Sequence, residues 1–272
     1  MKTAGKRRTA GRRKRQVTGS IMAPKKKLTA FEEELIVATA HIQKRDKKLG
    51  KIIDQVGPCA LKLDEMHSPF ASLAEAIIYQ QLTGKAAATI AQRVKNLFLD
   101  DELKKAAAQE VKKAVPRNRP KKELEAASPT LIGATTYPEP HRFLEVSDET
   151  LRSAGLSRAK TAAIKDLSLK MMEGQVPTLD QMHKLSDEEL IKTLSAIRGI
   201  GPWTVEMLLI FKLGRLNILP STDYGVRKGF AYTYKTGDLP TPKALLEFGE
   251  RWQPYRTIAS WYLWRAAGMA KI

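Results

Sequence analysis

From Leu28 to the end of the chain, apolar residues recur at three- and four-residue spacings, and no segment alternates with period two over a convincing length. A helix repeats about every 3.6 residues and a strand every two, so the pattern predicts an all-α fold with short connections. Phe31, Leu35, Ile36, Ala38 and Ile42 form the first such stripe, behind an acidic first turn, Glu32-Glu33-Glu34, that suits a helix N-terminus. Phe70, Leu73, Ala74, Ile77 and Ile78 form a second. It runs into Gln80-Gln81-Leu82-Thr83-Gly84, where Gly84 is expected to break the helix. A third stripe joins Ala87, Ile90, Ala91, Val94, Leu97 and Phe98. Residues 100–140 are polar and proline-rich and are expected to form a surface insertion. Ser157 should cap a helix running to Glu173 and stopped by Gly174, and Ser186 with Glu189 spells a capping box ahead of Leu190, Leu194 and Ile197. Further helices should begin near Pro202 and near Pro254.

Charge separates the N-terminus from the rest. Residues 1–30 hold eleven Lys/Arg and no acid, while the remaining 242 carry 36 basic against 29 acidic residues. A segment this charged and poor in apolar side chains cannot offset its ordering entropy, so residues 1–29 are expected to be a disordered basic tail. It lacks the apolar core of a secretory signal, and Met1 and Val17 are too few to make the amphipathic helix of a transit peptide. A nuclear-localisation or phosphate-binding role fits better. One cysteine, Cys59, excludes an internal disulfide and a thiolate-held zinc or iron–sulfur site. The four histidines form no ligand pair, so no metal site is expected. No run of eighteen apolar residues predicts a membrane span.

The stretch richest in chemistry is Leu194-Ser-Ala-Ile-Arg-Gly199-Ile200-Gly201-Pro202-Trp203-Thr204. It reads as helix, tight Gly-x-Gly turn, helix. Both glycines are expected to permit positive φ and close approach, and the turn opens onto a helix N-terminus that favours a phosphate. Downstream, Leu219-Pro-Ser-Thr-Asp223-Tyr224-Gly-Val-Arg227 sets one acid beside an aromatic and a cation. Taken alone, Asp223 reads first as a helix N-cap. Twelve of the eighteen Phe, Trp and Tyr residues, including all four Trp, lie within residues 203–264; Phe211, Phe230 and Phe248 are expected in the core.

Together these segments resemble the helix-hairpin-helix (HhH-GPD) DNA glycosylases of base excision repair, and within them the eukaryotic DNA-3-methyladenine glycosylase II branch. The resemblance covers roughly residues 65–268. It rests on Ala76–Leu82, Gly155–Lys160, Arg198–Thr204, Leu219–Lys228 and Arg256–Gly268. It implies two helical lobes with a cleft between them, one from about 30–70 plus 225–272 and the other from about 71–224. Asp223 matches the family's catalytic aspartate, Leu82 the wedge that fills the gap of a flipped base, and Trp203 and Trp264 positions lining the base pocket, with Tyr224 beside them. Gln81, Gly199, Gly201, Thr204 and Arg227 fall where the family contacts DNA. Trp203 stands where bifunctional members present a Schiff-base lysine, which implies base removal without strand cleavage. The expected partner is double-stranded DNA containing alkylated bases, acted on by a monomer in the nucleus. No cofactor is expected beyond a monovalent cation at the hairpin carbonyls. Cationic purines such as 3-methyladenine and 7-methylguanine are the expected targets, because no general acid is identifiable and alkylation already weakens the glycosidic bond. Two alternatives stand beside this: a same-fold glycosylase for another lesion, and a non-catalytic nucleic-acid-binding protein using the hairpin alone.

Overall fold

A computed structural model of the 272-residue chain describes residues 28–66, 68–99 and 136–270. Among these it contains thirteen α-helices, one 3₁₀ turn and no strand, as the periodicity requires. The expected tail and most of the 100–140 insertion lie outside the described residues.

The first helix, α1 (Ala30–Arg45), starts at a capping box: Thr29 Oγ1 accepts the Glu32 N–H, and the Glu32 carboxylate accepts the Thr29 N–H at 2.7 Å. Helix α2 (Lys47–Val56) follows after the single residue Asp46. Helices α3 (Pro69–Tyr79) and α4 (Gly84–Leu97) carry the next two stripes. The break between them is not made by Gly84, which is the first residue of α4. It is made at Gln81, whose φ of 57° turns the chain. Short helices α5 (Pro140–Glu145) and α6 (Asp148–Ser153) precede α7 (Arg158–Met172), capped by Ser157 as expected. Then come α8 (Leu179–Lys184), α9 (Asp187–Leu194) with the Ser186/Glu189 capping box, and α10 (Pro202–Phe211). Helices α11 (Tyr224–Tyr234) and α12 (Pro242–Gly249) lead through the 3₁₀ turn Glu250–Trp252 to α13 (Arg256–Met269). The last helix starts two residues later than the proline suggests. Pro254 belongs to the preceding turn, which the Tyr255 N–H closes on the Trp252 carbonyl at 2.8 Å.

Helix α13 is buried along most of its length and packs on α11, α2 and α1. Helix α7 packs on α3, α5 and α6. A continuous apolar core joins both groups, from Leu35 and Ile42 through Ile77, Leu167 and Leu194 to Leu263. The α11–α13 crossing is unusually close. A Cβ on Gly229 would lie 1.8 Å from the Leu263 carbonyl oxygen, so only glycine admits this approach. Between α3, its following turn and α10 lies an open cleft of ≈ 820 Å³.

Candidate active site

Asp223 is the N-cap of α11: its Oδ1 accepts the Val226 N–H at 2.8 Å. The capping role and the reactive placement are therefore not alternatives. The same carboxylate takes two indole N–H groups, Trp203 Nε1 on Oδ2 and Trp264 Nε1 on Oδ1, both at 2.8 Å. Trp203 comes from the second residue of α10 and Trp264 from α13, so three separate helices meet at one carboxylate. Held by two indoles and by its own cap bond, the acid keeps one orientation before any substrate arrives.

Gly225 makes this convergence feasible. A Cβ there would sit 2.9 Å from Trp264 Cδ1 and 3.1 Å from Asp223 Oδ1. With Gly229 one turn on, it gives α11 a bare face against which α13 can deliver Trp264. An i, i+4 glycine pair directly after the acid is a legible sign of a close helix crossing, and apolar periodicity alone passes over it.

The cleft is lined by Asp64, Glu75, Tyr79, Gln81, Leu82, Trp203, Thr204, Phe211 and Lys212, among others. Trp203 is 44% exposed and takes part in the lining, while Trp264 does not. Trp264 lies behind, half-buried and stacked on Phe211 at 5.9 Å between ring centroids. Phe211, expected in the core, is half-buried and forms part of the cleft wall. Tyr224, at 65% exposure, faces solvent outside the cleft lining.

Gln81 and Leu82 occupy the exposed turn between α3 and α4, with Leu82 38% exposed. Positive φ at a non-glycine residue is strained, and the surroundings hold it there. Lys160 Nζ donates to the carbonyls of Ile78 and Gln80 at 2.7 and 2.8 Å, closing the C-terminus of α3. Its burial there lowers its pKa. Gln80 Nε2 donates to the Gly199 carbonyl at 2.8 Å, tying this turn to the hairpin. Neither brace follows from the apolar pattern. A signal for Lys160 does exist: a lysine in the first turn of α7 opposes the helix dipole and so serves something else.

In the hairpin, Gly199 alone adopts positive φ, 78°, and its Cβ position lies 3.0 Å from Ala163 Cβ. Gly201 is extended (φ −100°, ψ 171°) and open to its surroundings, so the expectation of two left-handed glycines is corrected to one. The Arg198 N–H donates to Asp166 Oδ2 at 2.7 Å, anchoring the turn to α7. Thr204 is buried at 8% exposure and belongs to the cleft wall. Arg227 Nε donates to the Pro240 carbonyl at 2.8 Å, leaving the outer guanidinium nitrogens.

One titratable group here has no motif to announce it in the sequence. Glu206, one turn after Trp203 on α10, has Oε2 buried without a hydrogen-bond partner. Desolvation, with the charge of Asp223 adding to it, pushes its pKa up to about 7. Neither Glu206 nor Asp223 is part of the cleft lining; Asp223 reaches it through Trp203, and Glu206 is linked to Asp223 by charge. Among the described residues no cluster of His, Cys, Asp and Glu could hold a metal ion, and no helix is long and apolar enough to cross a membrane.

Comparison with known proteins identifies the family. Residues 74–254 match the family described as HhH-GPD superfamily base excision DNA repair protein. The chain is 29% identical over 244 residues to DNA-3-methyladenine glycosylase 1 of Schizosaccharomyces pombe, covering 88% of this chain and 92% of that protein. Among solved structures it resembles an S. pombe 3-methyladenine DNA glycosylase in complex with abasic DNA. That match has a TM-score of 0.63 and 30% identity, and covers 84% of this chain and 95% of the other. It also resembles a DNA-3-methyladenine glycosidase from Bacillus halodurans, with a TM-score of 0.64 and 32% identity, covering 85% and 89% of the two chains. The family match spans most of the chain, and this chain belongs to the HhH-GPD superfamily of base excision DNA repair proteins.

Proposed function

We propose that this protein is a monofunctional DNA glycosylase of the 3-methyladenine type II class. It flips alkylated purines out of double-stranded DNA and hydrolyses their N-glycosidic bond, leaving an intact abasic strand. The observation that carries this reading is Asp223, fixed by the Trp203 and Trp264 indoles, with Trp203 in the wall of an open cleft that Tyr79 and Phe211 also line. A base inside a duplex is out of reach, so the nucleotide leaves the stack. Leu82, at the tip of a braced and strained turn, enters the vacated space and offsets part of the unstacking cost. The hairpin N-terminus of α10 holds the phosphate backbone.

As the C1′–N bond breaks, its electron pair leaves with the base, and a cationic 3-methyladenine or 7-methylguanine departs neutral. Positive charge appears on the sugar. The Asp223 carboxylate stabilises it and orients a water, whose oxygen bonds to C1′ and whose proton is released. Trp203 occupies the position of a Schiff-base lysine and cannot form one, which supports hydrolysis without strand cleavage. Chromatography of bases released from methylated DNA tests the activity: 3-methyladenine and 7-methylguanine should appear. Borohydride trapping tests the rest. No covalent adduct should form, and trapping at the level of a bifunctional control would overturn the monofunctional assignment.

The reading extends to a monomer acting in the nucleus, directed there by the Lys/Arg-rich residues 1–27. A monovalent cation at the hairpin would be held by main-chain oxygens alone. The Ile197 carbonyl takes the Ile200 N–H and the Gly199 carbonyl the Gln80 amide, and each keeps a second lone pair.

A further inference from the structure

The cleft contains an acid that the mechanism above leaves idle. Glu75 lies on α3, one turn before Tyr79, and both line the cleft. Among the described residues Glu75 makes no hydrogen bond and no ion pair, and it is half-buried. The other two charged groups in the lining answer each other: Lys212 Nζ lies 3.8 Å from Asp64 Oδ2 and donates to the Glu65 carbonyl. Glu75 therefore leaves the lining with one uncompensated negative charge. That is an odd choice in a chain of net charge +18 whose partner is a polyanion. A free carboxylate here repels phosphate and favours a cation.

Its surroundings define what kind of cation. The rings of Tyr79 and Trp203, 39% and 44% exposed, are the two aromatic surfaces the cleft offers most openly. Tyr137 is drawn into the same cluster. Burial first, then the charges of Glu75 and Tyr79, hold its hydroxyl far above its usual pKa, and that hydroxyl is buried without a partner. Burial and Glu75 likewise raise Tyr79. Flat aromatic faces with an unpaired carboxylate beside them suit a planar, delocalised cation. An unmodified purine is planar but neutral; one alkylated at N3 or N7 is planar and positively charged.

We propose that Glu75 is a specificity-determining residue that selects the positive charge of an alkylated purine held against Tyr79 and Trp203. This rests on the alkylpurine reading given above. It differs in assigning the discrimination between damaged and normal base to a cleft carboxylate on α3, apart from Asp223, which acts on the sugar.

Two hydrolysis-resistant duplexes separate charge from shape. One contains 2′-fluoro-7-methyl-2′-deoxyguanosine, which is cationic. The other contains 7-deaza-7-methyl-2′-deoxyguanosine, which has nearly the same shape and is neutral. The wild-type chain should bind the cationic duplex about tenfold more tightly. Glu75→Gln should reduce that preference to about twofold or less, leaving affinity for the neutral duplex and for abasic DNA unchanged, while Glu75→Asp retains part of it. An undiminished preference in Glu75→Gln overturns the proposal. So does an equal loss on all three duplexes, which would make Glu75 a packing residue. Release of 7-methylguanine from methylated DNA by the wild type is measured alongside. If it is absent, the alkylpurine reading fails; if it is present with no charge preference in binding, only the role of Glu75 fails.

Discussion

Asp46 and Asp223 each cap a helix from extended backbone, accept main-chain N–H groups of the following turn, and take a tryptophan indole on the side chain. Their surroundings differ. Asp46 is 5% exposed, and its Oδ2 is shared by the fully buried Trp252 indole, at 2.9 Å, and by the Tyr234 hydroxyl in a short hydrogen bond. Its side-chain partners come from α11 and the 3₁₀ turn and pack against the core, and Asp46 itself is buried away from the cleft. Asp223 accepts one main-chain N–H and two indoles, and one of those indoles, Trp203, stands in the wall of an open cleft. Capping and indole bonding are thus common to a buried acid and to the acid we propose as catalytic. What separates them is whether the donors on the far side face core or solvent.

Substitutions at the two acids should separate in opposite directions. Asp223→Asn keeps a good cap, so stability should hold within about 1 kcal/mol, while single-turnover excision falls roughly 10²–10³-fold with DNA binding retained. Wild-type rates in that variant would place the chemistry elsewhere. Asp46→Ala should do the reverse. It strands a buried hydroxyl and a buried indole N–H, costing about 2–4 kcal/mol in chemical denaturation while the folded fraction keeps its excision rate. Loss of rate without loss of stability would erase the distinction.

Gly225→Ala probes how Asp223 is set. The added methyl would press on Trp264 and on the carboxylate, and excision should drop about tenfold. The effect should be non-additive with that of Trp264→Phe, because both substitutions disturb the same indole–carboxylate pair. Independent effects would mean that Trp264 only packs.

Glu206 sharpens the comparison through pH, since it is a carboxyl group coupled to Asp223 that titrates near neutrality. Its folded-state pKa, about 7, is raised above the ordinary 4.5. The folded state therefore binds the extra proton between those values. The contribution is fully present below about 4.5 and is lost as pH rises through about 7. Glu206→Gln should flatten that decline and raise stability in chemical denaturation at pH 8 by about 1–2 kcal/mol, after allowing for solvent screening. An unchanged pH profile would show that Glu206 is not the group titrating there. Smallest of all, removing residues 1–27 should leave both aspartates and the excision rate alone, yet weaken non-specific DNA affinity. The slope of log K against log salt should become shallower by about 0.9 for each phosphate that the tail neutralises.

Much of this is legible in the chain because it is local. Ser157, Ser186 with Glu189, and Pro202 announce helix starts through bonds made within one turn, and the structure places them there. The Gly84 and Gly201 expectations go astray for the converse reason. Glycine permits a left-handed turn but does not compel one. At Gln81 the brace from Lys160, on a helix about 80 positions away in sequence, holds the turn nearby and offsets the strain that glycine would have avoided. Phe211 and Trp264 are ambiguous because aromatic residues at helical spacing look alike in a core and in a cleft wall.

By itself, then, the sequence determined the all-α class, most helix starts, the hairpin and the segment bearing Asp223, since each follows from periodicity, capping chemistry or an ordered set of motifs. Only the tertiary structure decided what those parts do to one another. It decided that Trp203 and Trp264 reach the same carboxylate, and that Gly225 and Gly229 clear the way for α13. It decided too that a carboxylate oxygen of Glu206 is buried where Asp223 acts on it, and that Glu75 lines the cleft without a partner among the described residues. These outcomes depend on distances between segments far apart in the chain, and charge, burial and hydrogen bonding across such distances exist only once the helices have packed.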